Sequence, residues 1–172
     1  MSCPNNIEIE RKFLVRDDSY KALATSSVHI RQGYLSRSAN CTIRVRIAES
    51  LAFLTIKSKP APNGFAHYEF EKPITVDEAN ELLKLALPGV IDKRRWLVPL
   101  PSAMSHEPST IGHQLVCEVD EFFGDNAGLV MAEVELPSED TPFVHPDFLG
   151  DEVTFDKRYY NSYLSQHPFT TW

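Results

Sequence analysis

The sequence predicts a mostly β, α+β domain: eight antiparallel strands closed into a barrel, with two or three peripheral helices. Three observations predict it. First, six short segments carry charged residues at every second position, the period that sends side chains to one face of a strand. They are Glu8-x-Glu10-x-Lys12, Arg44-x-Arg46, Glu69-x-Glu71, Lys93-x-Arg95, Glu118-x-Asp120 and Glu133-x-Glu135. Second, strand-like runs outnumber helical ones, and nothing is regular enough for βαβ units. Third, eight antiparallel strands can close on themselves, which removes both exposed edges.

Each element has its own signal. Ile7-Glu8-Ile9-Glu10-Arg11-Lys12-Phe13-Leu14-Val15 lies within a first strand at 6–15. A short helix follows at 17–25, where Asp17, Asp18 or Ser19 can cap. Strands are predicted at 28–36, 41–49 and 51–59, the last adding Lys57 after an apolar run. Pro60 to Gly64 is a turn cluster. A strand at 65–73 ends at Pro73, and Thr75-Val76-Asp77-Glu78 opens a helix to Ala86 with Val76, Ala79, Leu82, Leu83 and Ala86 on one face. Pro88-Gly89 ends that helix, a strand occupies 90–98, and a Pro/Ser-rich mobile loop covers 99–111. Strands at 113–122 and 128–136 flank a Gly-rich turn, and a C-terminal helix runs over 156–166 with Asp156 as N-cap.

With 172 residues, 42% hydrophobic and 24% charged, the chain has the balance of one soluble globular domain spanning 1–172. It lacks an apolar run of the roughly 18 residues a membrane span needs, and its N-terminus does not read as a signal peptide. Cys3, Cys41 and Cys117 have no paired spacing. They fit a reducing, cytoplasmic setting and indicate neither a disulfide framework nor a zinc site. Seventeen basic against 24 acidic residues give −7, which argues against a nucleic-acid partner bound through a basic surface. The six His are scattered, without metal-ligand spacing. The oligomeric state is left as monomer or homodimer.

Taken singly, each charged pair reads most simply as a solvated strand face. The opposite faces (Ile7, Ile9 and Phe13; Ile43, Val45 and Ile47; Val134 and Leu136) then need cover that two or three helices supply only in part. Periodicity leaves inside and outside open, and the interspersed signs favour a shared polar interior. Such an interior would gather Lys12, Arg44, Arg46, Lys57, Lys93 and Arg95 with Glu8, Glu10, Glu69, Glu71, Glu118, Asp120, Glu133 and Glu135. Six bases against eight carboxylates leave −2. Arg and Lys at that density suit many anionic oxygens. Carboxylates at that density suit hard divalent cations, and about two Mg²⁺ would bring the site to about +2. Because unpaired charges in a lumen are expensive, the expected ligand is a metal–polyphosphate complex.

Glu8-x-Glu10-x-Lys12 resembles the signature of the CYTH superfamily, the triphosphate tunnel metalloenzymes. The resemblance continues in order through Arg31-Gln32-Gly33-Tyr34-Leu35, Arg44-x-Arg46, Leu54-Thr55-Ile56-Lys57 and Glu69-x-Glu71. It runs on through Lys93-x-Arg95, Glu118-x-Asp120, Glu133-x-Glu135, Glu152-Val153-Thr154 and Asp156-x-Arg158-Tyr159-x-Asn161. It implies a closed eight-stranded antiparallel barrel whose tunnel binds triphosphate with divalent metal, Mg²⁺ with Mn²⁺ as substitute. The short chain looks most like the bacterial inorganic triphosphatases, which implies hydrolysis of triphosphate to pyrophosphate and phosphate.

By that resemblance Lys12, Arg44, Arg46, Lys57, Lys93 and Arg95 grip phosphates, and Lys93 counts among the catalytic groups with Glu8 and Glu10. Glu133 and Glu135 hold one metal, aided by Glu8 and Glu10, which position a second metal or the attacking water. Glu69, Glu71, Glu118 and Asp120 are metal ligands or charge partners. Arg31 and Arg158 read as structural ion pairs, and Tyr159, Tyr160 and Tyr163 as packing on a helix that can block one tunnel mouth.

Class IV adenylate cyclase and thiamine or nucleoside triphosphatase are alternatives on the same tunnel. Both need groups to hold an organic moiety, and no Trp or Tyr cluster beside the motifs supplies them; Trp96 points away from Arg95 in a strand. A non-enzymatic polyphosphate or nucleotide sensor predicts binding without turnover, which Glu8 and Glu10 speak against. A carrier of apolar ligands fails on the charge of the lumen.

Overall fold

A computed structural model describes residues 7–38, 40–59, 66–101 and 115–172, with the backbone alone at Ile7, Glu8, Ala66 and His67. The expected turn at 60–64, Cys3 and most of the expected loop at 99–111 lie outside these residues. In order come β1 (Ile7–Val15), α1 (Tyr20–Leu23), β2 (Ser26–Arg37), β3 (Cys41–Ala48), β4 (Leu51–Ser58) and β5 (Ala66–Ile74). Then follow α2 (Val76–Lys84), β6 (Ile91–Pro99), β7 (Val116–Phe122), β8 (Val130–Glu135), β9 (Leu149–Glu152) and α3 (Asn161–Leu164).

The described strands form one nine-stranded antiparallel sheet, ordered β5-β4-β3-β2-β6-β7-β8-β1-β9. Strand β5 also pairs with β1, Ile7–Ile9 against Ala66–Tyr68. The sequence predicts eight strands, and the ninth is a correction. Leu149-Gly150-Asp151-Glu152 has no alternation to betray it, and it joins β1 on the edge away from β8 through Phe13↔Glu152 and Val15↔Leu149. The C-terminal helix expected over 156–166 is also corrected. Asp156 accepts from Arg158 N as predicted, but Lys157–Tyr159 close as a 3₁₀ turn. Tyr160 at φ −78°, ψ 135° then resets the chain before the single turn of α3. Helix α1 is one turn rather than 17–25, and Ser19 at its start makes no side-chain cap.

Most of the faces opposite the charged pairs are covered, with Tyr68 and Phe70 of β5 left exposed. Phe13, Tyr20, Val98, Cys117, Val119, Ala132, Val134, Phe148 and Leu149 form one core cluster, with Trp96 packed against it. Removing Phe13 would cost about 3–5 kcal/mol by the usual scale for a buried aromatic. Val45, Ala52 and Ala79 form a second, with Ile47, Leu54, Leu82 and Leu83 against it, so α2 shields β3 and β4. Helix α2 starts where predicted: Thr75 Oγ1 accepts from Glu78 N at 3.1 Å while Glu78 Oε2 accepts from Thr75 N at 2.8 Å. That reciprocal cap is worth about 1 kcal/mol. It approaches β2 so closely that a Cβ on Gly33 would lie 2.9 Å from both Ala86 and Leu83. Gly89, at φ +94°, lets the chain after α2 pass against Ser165, whose carbonyl oxygen would sit 1.6 Å from an added Cβ. No helix among the described residues is long and apolar enough to cross a membrane.

Candidate active site

Covering those faces leaves the charged pairs on the other side of the sheet. There they line a cavity of about 360 Å³. Lys12, Arg44, Arg46, Lys57, Lys93 and Arg95 all line it, as do Glu10, Glu69, Glu71, Glu118, Glu133 and Glu135. The Glu8 side chain lies outside the described residues; its backbone pairs with His67, two positions before Glu10. Asp120 does not line the cavity. It is fully buried, where it pairs with Lys93 and Arg95.

The register decides who meets whom. Lys12 stands opposite Glu133, Glu118 opposite Glu133, Arg95 opposite Asp120, and Glu10 opposite Glu135. Lys12 Nζ accordingly donates to Glu133 Oε1 at 2.5 Å and lies 2.9 Å from Glu10 Oε1. Arg95 spans three carboxylates: Nε and Nη2 donate to Asp120 at 2.8 and 2.7 Å, Nη2 also reaches Glu133 Oε2 at 3.0 Å, and Nη1 meets Glu118. Lys93 Nζ donates to Asp120 Oδ2 at 2.5 Å. Across the cavity Lys57 pairs with Glu69 at 3.0 Å and Arg46 with Glu71 at 2.9 Å. Thr55 Oγ1 links the two motifs there, accepting from Arg44 at 3.3 Å and donating to Glu71 at 2.9 Å.

These contacts split the two buried lysines. Burial pulls the Lys12 ammonium down, but Glu10 and Glu133 outweigh it and hold its pKa above the usual range. Burial wins at Lys93, whose pKa falls to about 8 despite Asp120, with Arg95 adding to the fall. Against burial, Arg95 and Lys93 hold the Asp120 carboxyl well below the usual carboxylate range, and Lys12 lowers the pKa of Glu133. Glu135 goes the other way: burial raises its pKa first, then Glu118, and Glu10 and Glu69 add to it while Lys57 opposes.

That crowding bears on metal binding. Among the described residues no three carboxylate, imidazole or thiol groups are already drawn together around a metal position. The donors are nevertheless hard oxygens on three adjacent strands, β1, β7 and β8, and beyond the effect of burial Glu118 and Glu10 add to the rise at Glu135. A hard divalent cation fits that set.

Several lining residues are absent from the charge motifs. Gln32 and Tyr34 are buried on β2 and face the cavity, as does Tyr160, whose ring lies 5.7 Å from Lys12 Nζ. Two of them were legible as polar alternation in β2, which a search for charge overlooks. Tyr159 packs edge-on against Trp172 and Tyr163 stacks on His167, as packing residues. Arg158 pairs with Asp156, and Trp96 contacts Tyr20 on the far face, both as expected. Arg31 is exposed and outside the cavity lining.

The charged lining gives way to an apolar layer. Continuing each inward series by two positions leads from Lys12 to Leu14, Lys93 to Ile91, Asp120 to Phe122 and Glu133 to Met131. These four pack together with Leu129, Leu164 and Tyr159. Leu164 belongs to α3, and the neighbouring Tyr160, Asn161 and Ser162 line the cavity. The C-terminal segment therefore packs with an apolar floor at one end of the charged lining.

Charge-lined strands around one cavity, with outer faces mostly covered, define a polyanion-binding β domain. Residues 6–167 match the CYTH domain family, and the chain belongs to it. It is 40% identical to an inorganic triphosphatase of Acetivibrio thermocellus over 94% of this chain and 95% of that protein. It is 33% identical to an inorganic triphosphatase of Nitrosomonas europaea, over 92% and 96%. A crystal structure of an inorganic triphosphatase aligns with a TM-score of 0.60 at 31% identity, covering 96% of this chain and 95% of the other.

Proposed function

We propose that this chain is a divalent-metal-dependent inorganic triphosphatase, hydrolysing triphosphate to pyrophosphate and phosphate inside a closed barrel. The observation that carries the reading is the convergence of six basic and six acidic motif residues on one cavity of about 360 Å³. The additional β5–β1 pairing supports closure, since it joins the two sides of an eight-strand ring to which β9 is appended. The aromatic rings in the described lining are Tyr34 and Tyr160, and Tyr160 already faces Lys12. That favours a bare polyphosphate over a nucleotide or thiamine ester.

In this reading Arg44, Arg46, Lys57, Lys12, Lys93 and Arg95 neutralise and orient the phosphate chain, Arg with its planar fork and Lys as a point charge. Glu133 and Glu135, aided by Glu8 and Glu10, hold Mg²⁺, with Mn²⁺ as a substitute. When bound, the cation neutralises charge on the phosphoryl oxygens. Glu10, with Glu8, orients the water that attacks the terminal phosphorus in line as pyrophosphate departs. Asp120 keeps Lys93 and Arg95 aimed, and Glu118, Glu69 and Glu71 act as charge partners. Catalysis is then positioning and electrostatics, as for other phosphoryl transfers. The compartment is cytoplasmic in this reading, with a small polyanion as the partner.

Phosphate release from triphosphate, ATP, thiamine triphosphate and pyrophosphate, each with Mg²⁺ and with Mn²⁺, tests the substrate assignment. Triphosphate should give the highest kcat/KM. A higher value for ATP or thiamine triphosphate would move the chain to another activity of the same barrel.

A further inference from the structure

Gln32 is 1% exposed and lines the cavity, yet its side-chain amide Nε2 has no hydrogen-bond partner among the described residues. Buried amide donors are ordinarily satisfied, because an unmade hydrogen bond lowers stability. Something must offset the penalty, or the donor is kept for a ligand. Its strand neighbours show which kind. Gln32 sits in register with Arg46 on one side and with Ile91, part of the apolar floor, on the other. Arg46 Nε and Arg44 Nε, on the adjacent strand, are also buried without acceptors. On β6, the other neighbour of β2, and on β1, Lys93, Arg95 and Lys12 are closed onto Asp120, Glu118, Glu133 or Glu10, whereas Arg44 and Arg46 reach Thr55 and Glu71 through Nη2 and leave Nε without an acceptor.

We propose that Gln32 is a substrate-binding residue whose amide Nε2, with Nε of Arg44 and Arg46, forms a cradle for phosphoryl oxygens on the β2–β3 wall. The proposal rests on the triphosphatase reading and extends it to a neutral residue beyond the charge motifs. A neutral donor adds a directed hydrogen bond beside the floor without adding positive charge next to Arg46. Burial and Arg44 already hold the Arg46 pKa below its usual value, so a third cation there would be poorly tolerated.

The test is Gln32→Met, which keeps the length and removes the donor. A donor with no bond in the unliganded protein should leave Tm unchanged or raised when deleted. KM for triphosphate should rise at least about tenfold, the scale of one hydrogen bond to a charged group, with kcat within about threefold. The rise in Tm that triphosphate produces in EDTA, which needs no turnover, should shrink in parallel. Gln32→Glu should bind more weakly still, through repulsion. Unchanged KM and unchanged triphosphate-induced Tm rise would overturn the proposal. So would a Gln32→Met Tm several degrees lower, which would mean the amide holds the fold. If wild-type protein fails to hydrolyse triphosphate, the functional reading falls, while the shift in EDTA still decides whether Gln32 touches the polyanion.

Discussion

Lys93 Nζ lies 2.5 Å from Asp120 Oδ2, with the two side chains 2% and 0% exposed. Asp120 also takes two hydrogen bonds from Arg95. One buried carboxylate therefore fastens two of the cations that face the cavity. Asp120→Asn should destabilise the protein by about 3–5 kcal/mol, the usual cost of removing one partner of a buried charge pair, as read by denaturant unfolding. A loss below about 1 kcal/mol would mean the three charges are hydrated rather than mutually dependent.

The same pair sets a pH limit. Burial places the Lys93 pKa at about 8 in the folded protein, below the roughly 10.4 of an unfolded lysine. The folded state loses that proton first, so this group makes stability rise between about pH 8 and 10.4. Activity should move oppositely: kcat/KM falls above about pH 8 as the cavity loses a cation. Lys93→Arg should shift that limb to higher pH. A flat profile to pH 10 would remove Lys93 from the binding set.

Strand identity was readable because the period-2 pattern is local, and all eight predicted strands are present within a few residues. The charge partners were not readable. Arg95 reaches Glu118, Asp120 and Glu133 because β6, β7 and β8 lie side by side, and Lys12 reaches Glu133 because β1 follows β8. That order is a property of the assembled sheet, so Asp120 could not be told from the lining carboxylates in advance. The apolar floor was missed differently: Leu14, Ile91, Phe122 and Met131 each continue an inward series, but apolar residues were assigned to the outer face alone. Gln32 was passed over because it is uncharged, and β9 because four residues are too few for a pattern.

Glu10 and Arg44 should separate chemistry from binding. Glu10→Gln keeps the shape but weakens the group proposed to orient water and hold metal, so kcat should fall at least about 10²-fold. Arg44→Ala should raise KM more than it lowers kcat, because its grip on phosphate is present in the ground state. Steady-state rates for both variants with triphosphate check this. Near-normal kcat in Glu10→Gln together with unchanged KM in Arg44→Ala would contradict the assigned roles.

Everything proposed for the charged cavity depends on metal-dependent cleavage of a polyphosphate held there. The most direct measurement follows triphosphate hydrolysis by EDTA-treated protein while Mg²⁺ is restored, quantifying phosphate and pyrophosphate together. Turnover should be absent in EDTA and recover on adding Mg²⁺, with one phosphate released per pyrophosphate. Equal rates with and without EDTA, or no cleavage of triphosphate under any metal, would contradict the proposed function.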